Sequence, residues 1–104
     1  MNIEPILGRL RTGLLTLYGP RLKGLYIFGS YARGGQDQES DVDLLIVLDQ
    51  IEHYTDEIDR TGPLISALSL DAGVSLSRVI VSDAEWTASA STFLTTVGAD
   101  AVAV

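Results

Sequence analysis

Gly29-Ser30-Tyr31-Ala32-Arg33-Gly34, followed after a short polar stretch by Ser40-Asp41-Val42-Asp43-Leu44-Leu45-Ile46-Val47-Leu48, is the segment from which the fold can be read. Just upstream, Leu22-Lys23-Gly24-Leu25-Tyr26-Ile27-Phe28 is a short, nearly continuous apolar run that breaks at Gly29-Ser30. Such a run predicts a strand covered on both faces, and Ser30 is placed to cap about one turn of helix ended by Gly34-Gly35. From Asp41 the residues alternate. Asp41, Asp43, Leu45 and Val47 share one face of a strand, and Val42, Leu44, Ile46 and Leu48 share the other. With a side-chain period of two, both carboxylates therefore point the same way at the start of an otherwise apolar strand.

Working outward, Ile6, Leu7, Leu10, Leu14 and Leu17 form a helical stripe, with Pro5 in the first turn and Gly19-Pro20 as the stop. Residues 52–70 read as a second helix with Ile58, Ile65 and Leu68 inward, kinked or split at Gly62-Pro63. Ser75 to Val81 is a third strand, with Ser75, Ser77 and Val79 on one face and Leu76, Arg78 and Ile80 on the other. Ser82-Asp83-Ala84-Glu85 has the pattern of a capped helix start, and Phe93, Leu94 and Val97 suggest a last helical turn packed on the core. The order is helix, strand, short helix, strand, helix, strand, helix. This predicts one α+β domain over residues 1–104, a small mixed sheet of about three strands flanked by helices.

The 104 residues carry a formal charge of −7, split as +4 over residues 1–35 and −11 over residues 36–104. So acidic a chain lacks the clustered Lys and Arg that hold long nucleic acid, and a nucleotide or a protein partner fits better. The acids at Asp37, Glu39, Glu52, Asp56, Glu57 and Asp59 read as solvated surface. With no cysteine, disulfides and thiolate chemistry are excluded. No run of about 18 apolar residues and no basic-then-apolar leader is present, so no membrane span is expected and the cytoplasm is the default location. His53, the single histidine, reads as a solvated side chain at the start of a polar helix.

A strand that turns through Gly-Ser into a helix exposes unpaired N–H groups and the positive end of a helix dipole, which suits a phosphate. Gly29 lets the backbone approach closely, Ser30 can donate twice, and Arg33 one turn on offers a planar fork of donors. Asp41 and Asp43 lie close enough to repel unless a cation sits between them. Magnesium suits such a pair because it takes one or two carboxylates together with phosphate oxygens and water. Either half alone has a common bland reading, a helix cap or an acidic turn. Their conjunction favours nucleotide and metal.

These residues resemble a known family. Gly29-Ser30, ten residues, then Asp41-x-Asp43 is similar to the signature of the DNA polymerase β-like nucleotidyltransferases. The chain is most similar to the stand-alone minimal nucleotidyltransferases (MNT), in which G-S-x-A-R-G is followed by S-D-x-D-L. The resemblance implies a nucleotidyltransferase fold, with Gly29, Ser30 and Arg33 binding the nucleotide and Asp41 and Asp43 as the catalytic, magnesium-binding pair. It further implies transfer of a nucleoside monophosphate, AMP from ATP above all, to a protein hydroxyl. Members commonly serve as antitoxins beside a HEPN-domain ribonuclease toxin, some by modifying a tyrosine of that toxin, so a HEPN partner and a homo- or hetero-oligomer are implied. The family usually has a third carboxylate on the following strand, which helps bind metal and activates the attacking hydroxyl. Here that strand holds no acid; Ser77 is the best match, with Ser75 beside it and Asp83 as an outside substitute. The alternative is therefore a degenerate nucleotide-binding antitoxin that acts by covering its partner. Trp86 and the Phe93 to Val97 stretch are the expected partner surface.

Overall fold

The computed structural model describes residues 3–29, 32 and 41–104. In order, these form α1 (Glu4–Tyr18), a 3-10 turn (Gly19–Arg21), β1 (Leu22–Phe28), β2 (Val42–Leu48), α2 (Tyr54–Ala72), β3 (Leu76–Ser82), α3 (Asp83–Ala88), α4 (Thr92–Asp100) and β4 (Val102–Ala103). The sheet runs β3-β2-β1-β4, with β2 antiparallel to β1 and parallel to β3, and β4 antiparallel to β1. It is a mixed sheet of four strands. The fourth is two residues long and is drawn from the tail, too short to show a period in sequence.

The alternation of β2 divides the core in two. Val42, Leu44, Ile46 and Leu48 pack with Leu10 and Leu14 of α1, Ile65 and Leu68 of α2, and Leu76 and Ile80 of β3. Leu45 and Val47 pack on the opposite face with Val81, Leu94 and Val97, and with the half-buried Tyr26, Phe28 and Trp86. β2 is thus the strand buried on both faces. β1, expected to be, is mostly half-buried, because its outer neighbour covers only Tyr26 and Ile27.

In α1 the inward stripe ends at Tyr18, 5% exposed, whereas Leu17 is 41% exposed. Both positions continue a helical stripe from Leu14, and Tyr18 is the one whose hydroxyl finds a partner, donating to Glu57 Oε1 at 2.9 Å. Glu57 is accordingly no surface acid. It is 5% exposed and also receives Arg60 Nη1 and, at 3.5 Å, Arg21 Nη2.

Helix α2 is one element with Pro63 inside it. Proline has no N–H and leaves the carbonyl four residues earlier without a helical partner. Around this irregularity Thr61 Oγ1 donates to the carbonyls of Glu57 at 2.9 Å and Ile58 at 3.2 Å. Arg78, on the core face of β3, donates Nε to Thr61 Oγ1 at 2.7 Å and Nη2 to the Ile58 carbonyl at 2.8 Å. An arginine among apolar neighbours is thereby satisfied, and it ties α2 to the edge strand. Gly73, with φ +66°, closes α2 in a left-handed cap.

Candidate active site

The antiparallel register sets Phe28 opposite Asp43, so the end of β1 and the start of β2 lie side by side. The chain leaves β1 through Gly29, whose φ of +75° favours a residue without a Cβ. A Cβ built there would sit 2.5 Å from Asp43 Oδ2. The first glycine of the turn and the second carboxylate of the acid pair are therefore in direct contact, although fourteen positions separate them in sequence. Asp43 is half-buried, and Asp41, one position outside the strand, is exposed. Backbone pairing continues outward, with Val42 N–H donating to the Ser75 carbonyl at 2.9 Å. Of the predicted site residues, Gly29 and Asp43 are brought together, and Asp41 lies two positions before Asp43 and is exposed; Ser30 and Arg33, with the one-turn helix expected after them, lie outside the described residues.

The parallel register of β2 and β3 pairs Asp43 with Ser77. Registered neighbours project from the same face of a sheet, so Ser77 stands beside Asp43 on the face that also carries Leu45, Val47, Val79 and Val81. Ser77 is exposed. Asp83, the substitute considered from sequence, follows Ser82, which pairs with Leu48 at the far end of β2, five positions or about 17 Å from Asp43. It lies in the first turn of α3, where Ser82 and Glu85 form a reciprocal capping box, and so it is no part of this site. No group of three His, Cys, Asp or Glu suited to a metal occurs among the described residues.

The expected partner surface needs correction. Leu94 and Val97 are each 4% exposed, and the Trp86 ring packs 5.1 Å from that of Tyr26, all within the second core cluster. Phe93 alone of that stretch is an exposed large apolar side chain, edge-on to Phe28 at 6.0 Å.

A polar cavity of about 240 Å³ opens at the opposite end of the sheet, lined by Arg21, Gln50, Glu52, His53, Asp56, Glu57 and Arg60. Burial alone would push the Glu57 carboxyl up, but hydrogen bonds from Tyr18 and Arg60 and the nearby guanidinium charges outweigh it and hold it below the usual carboxylate range. Burial, reinforced by the bond to Glu57, pushes the Tyr18 hydroxyl up to about 12. Arg21 completes the network through Asp49 Oδ1 at 3.1 Å and the Gln50 carbonyl at 3.1 Å. These charges satisfy one another, and the network is a brace between α1, β2 and α2. Sequence reasoning missed it; the signal available was the Glu57/Arg60 pair one helical turn apart.

Comparison with known proteins agrees with this fold. The profile described as "Nucleotidyltransferase domain" matches residues 7–94. A relative from Methanocaldococcus jannaschii named "Putative protein adenylyltransferase MJ0604" is 35% identical over 83 residues, covering 80% of this chain and 77% of that protein. A crystal structure of a toxin-antitoxin with AMP-PNP superposes with a TM-score of 0.61 at 25% identity, covering 90% of this chain and 68% of that one. A Shewanella oneidensis complex of a tri-AMPylated HEPN toxin with its MNT antitoxin superposes with a TM-score of 0.53 at 18% identity over 94% of this chain and 70% of that one, a likeness of fold. With a family profile over residues 7–94 and a relative 35% identical over most of both chains, the chain belongs to the nucleotidyltransferase domain family.

Proposed function

We propose that this domain transfers AMP from ATP to a hydroxyl of a partner protein in a magnesium-dependent reaction, as the antitoxin of a cytoplasmic HEPN/MNT pair. The observation that supports this is the approach of Asp43 Oδ2 to within 2.5 Å of where a Gly29 Cβ would stand, which is what a phosphate turn and a metal carboxylate sharing one site would require. Support for the acceptor class comes from the adenylyltransferase name of the archaeal relative and from the toxin-antitoxin complexes that share the fold.

The donor set fits magnesium. Asp41 and Asp43 would offer it hard carboxylate oxygens, and a nucleotide held at Gly29 would add phosphate oxygens. Magnesium bound there would neutralise charge on the triphosphate and orient it. Gly29 keeps side-chain bulk away from the phosphates, and Ser30 and Arg33 are the proposed donors to them. The backbone of Asp43 is held by pairing in the central strand, so the carboxylate would start from a fixed Cα when the nucleotide arrives. Nucleotidyl transfer depends mainly on such positioning and charge neutralisation.

Incubation with α-labelled ATP, magnesium and any HEPN-domain protein encoded beside this chain should place label on that protein. Asp41→Ala and Asp43→Ala should each abolish it. Absence of label with the unaltered domain sinks the transferase reading. The second reading, neutralisation by binding alone, is favoured by Ser77 at the third position; it predicts that both alanine variants still neutralise the toxin.

A further inference from the structure

Phe28, the residue before Gly29, stands directly opposite Asp43 in the antiparallel register. Opposite residues project from the same face of a sheet, with Cβ atoms about 4.5–5.5 Å apart. Phe28 is half-buried there against the cluster of Leu45, Val47, Leu94 and Val97. On the same face the first turn of α4 sets Phe93 beside it, with ring centroids 6.0 Å apart and planes at 84°. Phe93 is 48% exposed, although Leu94 and Val97 of the same helix are buried. In an edge-to-face pair Phe28 can cover at most one face of the Phe93 ring, so the other is left uncovered by it. A single exposed apolar side chain is ordinary on a protein surface. This one is singled out by its place, one ring away from the residue that faces Asp43 and leads into the Gly29 turn.

We infer that Phe93 is the platform on which the nucleobase stacks, with Phe28 holding its ring at a fixed angle and the triphosphate running past Gly29 towards Asp41 and Asp43. This rests on the nucleotide reading above and deepens it by saying where the base lies. The line from Asp43 through Phe28 to Phe93 has the reach of a nucleotide from its phosphates across the ribose to the base. Every base has a π face, so a stacking platform reads aromatic area and not a pattern of donors and acceptors. Purines, with two fused rings, are therefore held tighter than pyrimidines. Adenine and guanine are not told apart at this residue.

The test is calorimetric titration in the presence of magnesium with ATP, GTP, CTP, UTP and ribose 5-triphosphate, which keeps the sugar and phosphates but has no base. The unaltered domain should bind ATP and GTP alike and the pyrimidine nucleotides more weakly. Ribose 5-triphosphate should bind on the order of 10-fold or more weaker than ATP, as loss of one base–aromatic stack implies. Phe93→Ala should bring ATP down to the level of ribose 5-triphosphate and leave the latter unchanged. Phe93→Leu keeps the apolar bulk without the π face, so it should bind as Phe93→Ala does, whereas Phe93→Tyr should retain ATP affinity. A purely structural role would give the opposite order, with leucine restoring what alanine lost. Phe93→Trp adds a second indole to Trp86, the single tryptophan of the chain, and its fluorescence should be quenched by ATP and not by ribose 5-triphosphate.

ATP bound no tighter than ribose 5-triphosphate by the unaltered domain overturns the inference, and that result needs no variant to fold. Full ATP affinity in Phe93→Ala or Phe93→Leu overturns it as well, and loss of a protein partner by those same variants would then make Phe93 a docking residue. Two kinds of failure are separable. If the unaltered domain binds neither ATP nor ribose 5-triphosphate with magnesium, the nucleotide reading falls and this inference with it. If it binds ATP with an affinity that does not depend on Phe93, the inference alone falls.

Discussion

Replacing Gly29 by alanine should damage the site far more than the fold. Two effects meet at this residue. Its φ of +75° costs a residue with a Cβ about 1–2 kcal/mol, which for a domain of this size lowers Tm by roughly 4–16 °C. The new Cβ would also stand 2.5 Å from Asp43 Oδ2, so the carboxylate must retreat by roughly 0.9 Å to reach ordinary contact. That retreat is inexpensive for stability, because the atom is the end of a side chain. It is costly for function, since magnesium demands near-ideal geometry and a misplacement of about 1 Å can lose about 10²-fold. Gly73→Ala isolates the first effect, having φ +66° with nothing within 4 Å of its Cβ. Calorimetric melts of the two variants should fall by similar amounts. Titrations with Mn2+ and with AMP-PNP should show a loss of about 10²-fold for Gly29→Ala and essentially none for Gly73→Ala. Equal binding by the two variants would refute the claim that the glycine turn and the acid pair form one site.

Two further predictions concern the scaffold. Because the Glu57 carboxyl is held below its ordinary value of 4.5, the unfolded chain takes up this proton first as pH falls. Its contribution is therefore present above about pH 4.5 and is lost as pH drops through the depressed folded value; Glu57→Gln should cost about 1–3 kcal/mol at neutral pH and show a flatter acid limb in pH-dependent melts. An acid limb as steep as the parent's would show that Glu57 is not the responsible group. Arg78→Met should cost about 1–3 kcal/mol in chemical denaturation, since it strips partners from Thr61 and the Ile58 carbonyl, and the penalty should shrink in a Thr61→Val background because the two residues share one bond. Simple additivity of the two changes would count against the shared network.

The elements nearest the motif were the most legible, for a physical reason. β2 alternates with a period of two and is buried along its length, so its pattern in sequence and its environment in the fold coincide. The facing of Asp43 and Ser77 followed from the same period. What the alternation could not supply was register: which residue of β3 stands beside Asp43 depends on pairing across a crossover that contains all of α2. β1 was misjudged because a continuous apolar run says nothing about how much strand lies beside it, and β4 was too short to see. Glu57 and Leu17 failed differently. Composition makes an acid near a helix start look solvated and a leucine look buried, yet a hydroxyl on Tyr18 and the guanidinium groups of Arg21 and Arg60 reversed both outcomes.

The two ends of β2 divide the labour of the molecule. At one end Glu57, Tyr18, Arg21 and Arg60 join α1, β2 and α2 in a network that stabilises the fold. At the other, a left-handed glycine, two carboxylates and an exposed serine gather at the start of the same strand. Repulsion between Asp41 and Asp43 would be a cost that a bound cation offsets. A strand wholly buried between these ends fixes Asp43 without needing the ligand to do so. It follows that ligand should raise Tm with little change in the backbone around β2, whereas the network at the far end should keep the domain folded when the site is empty.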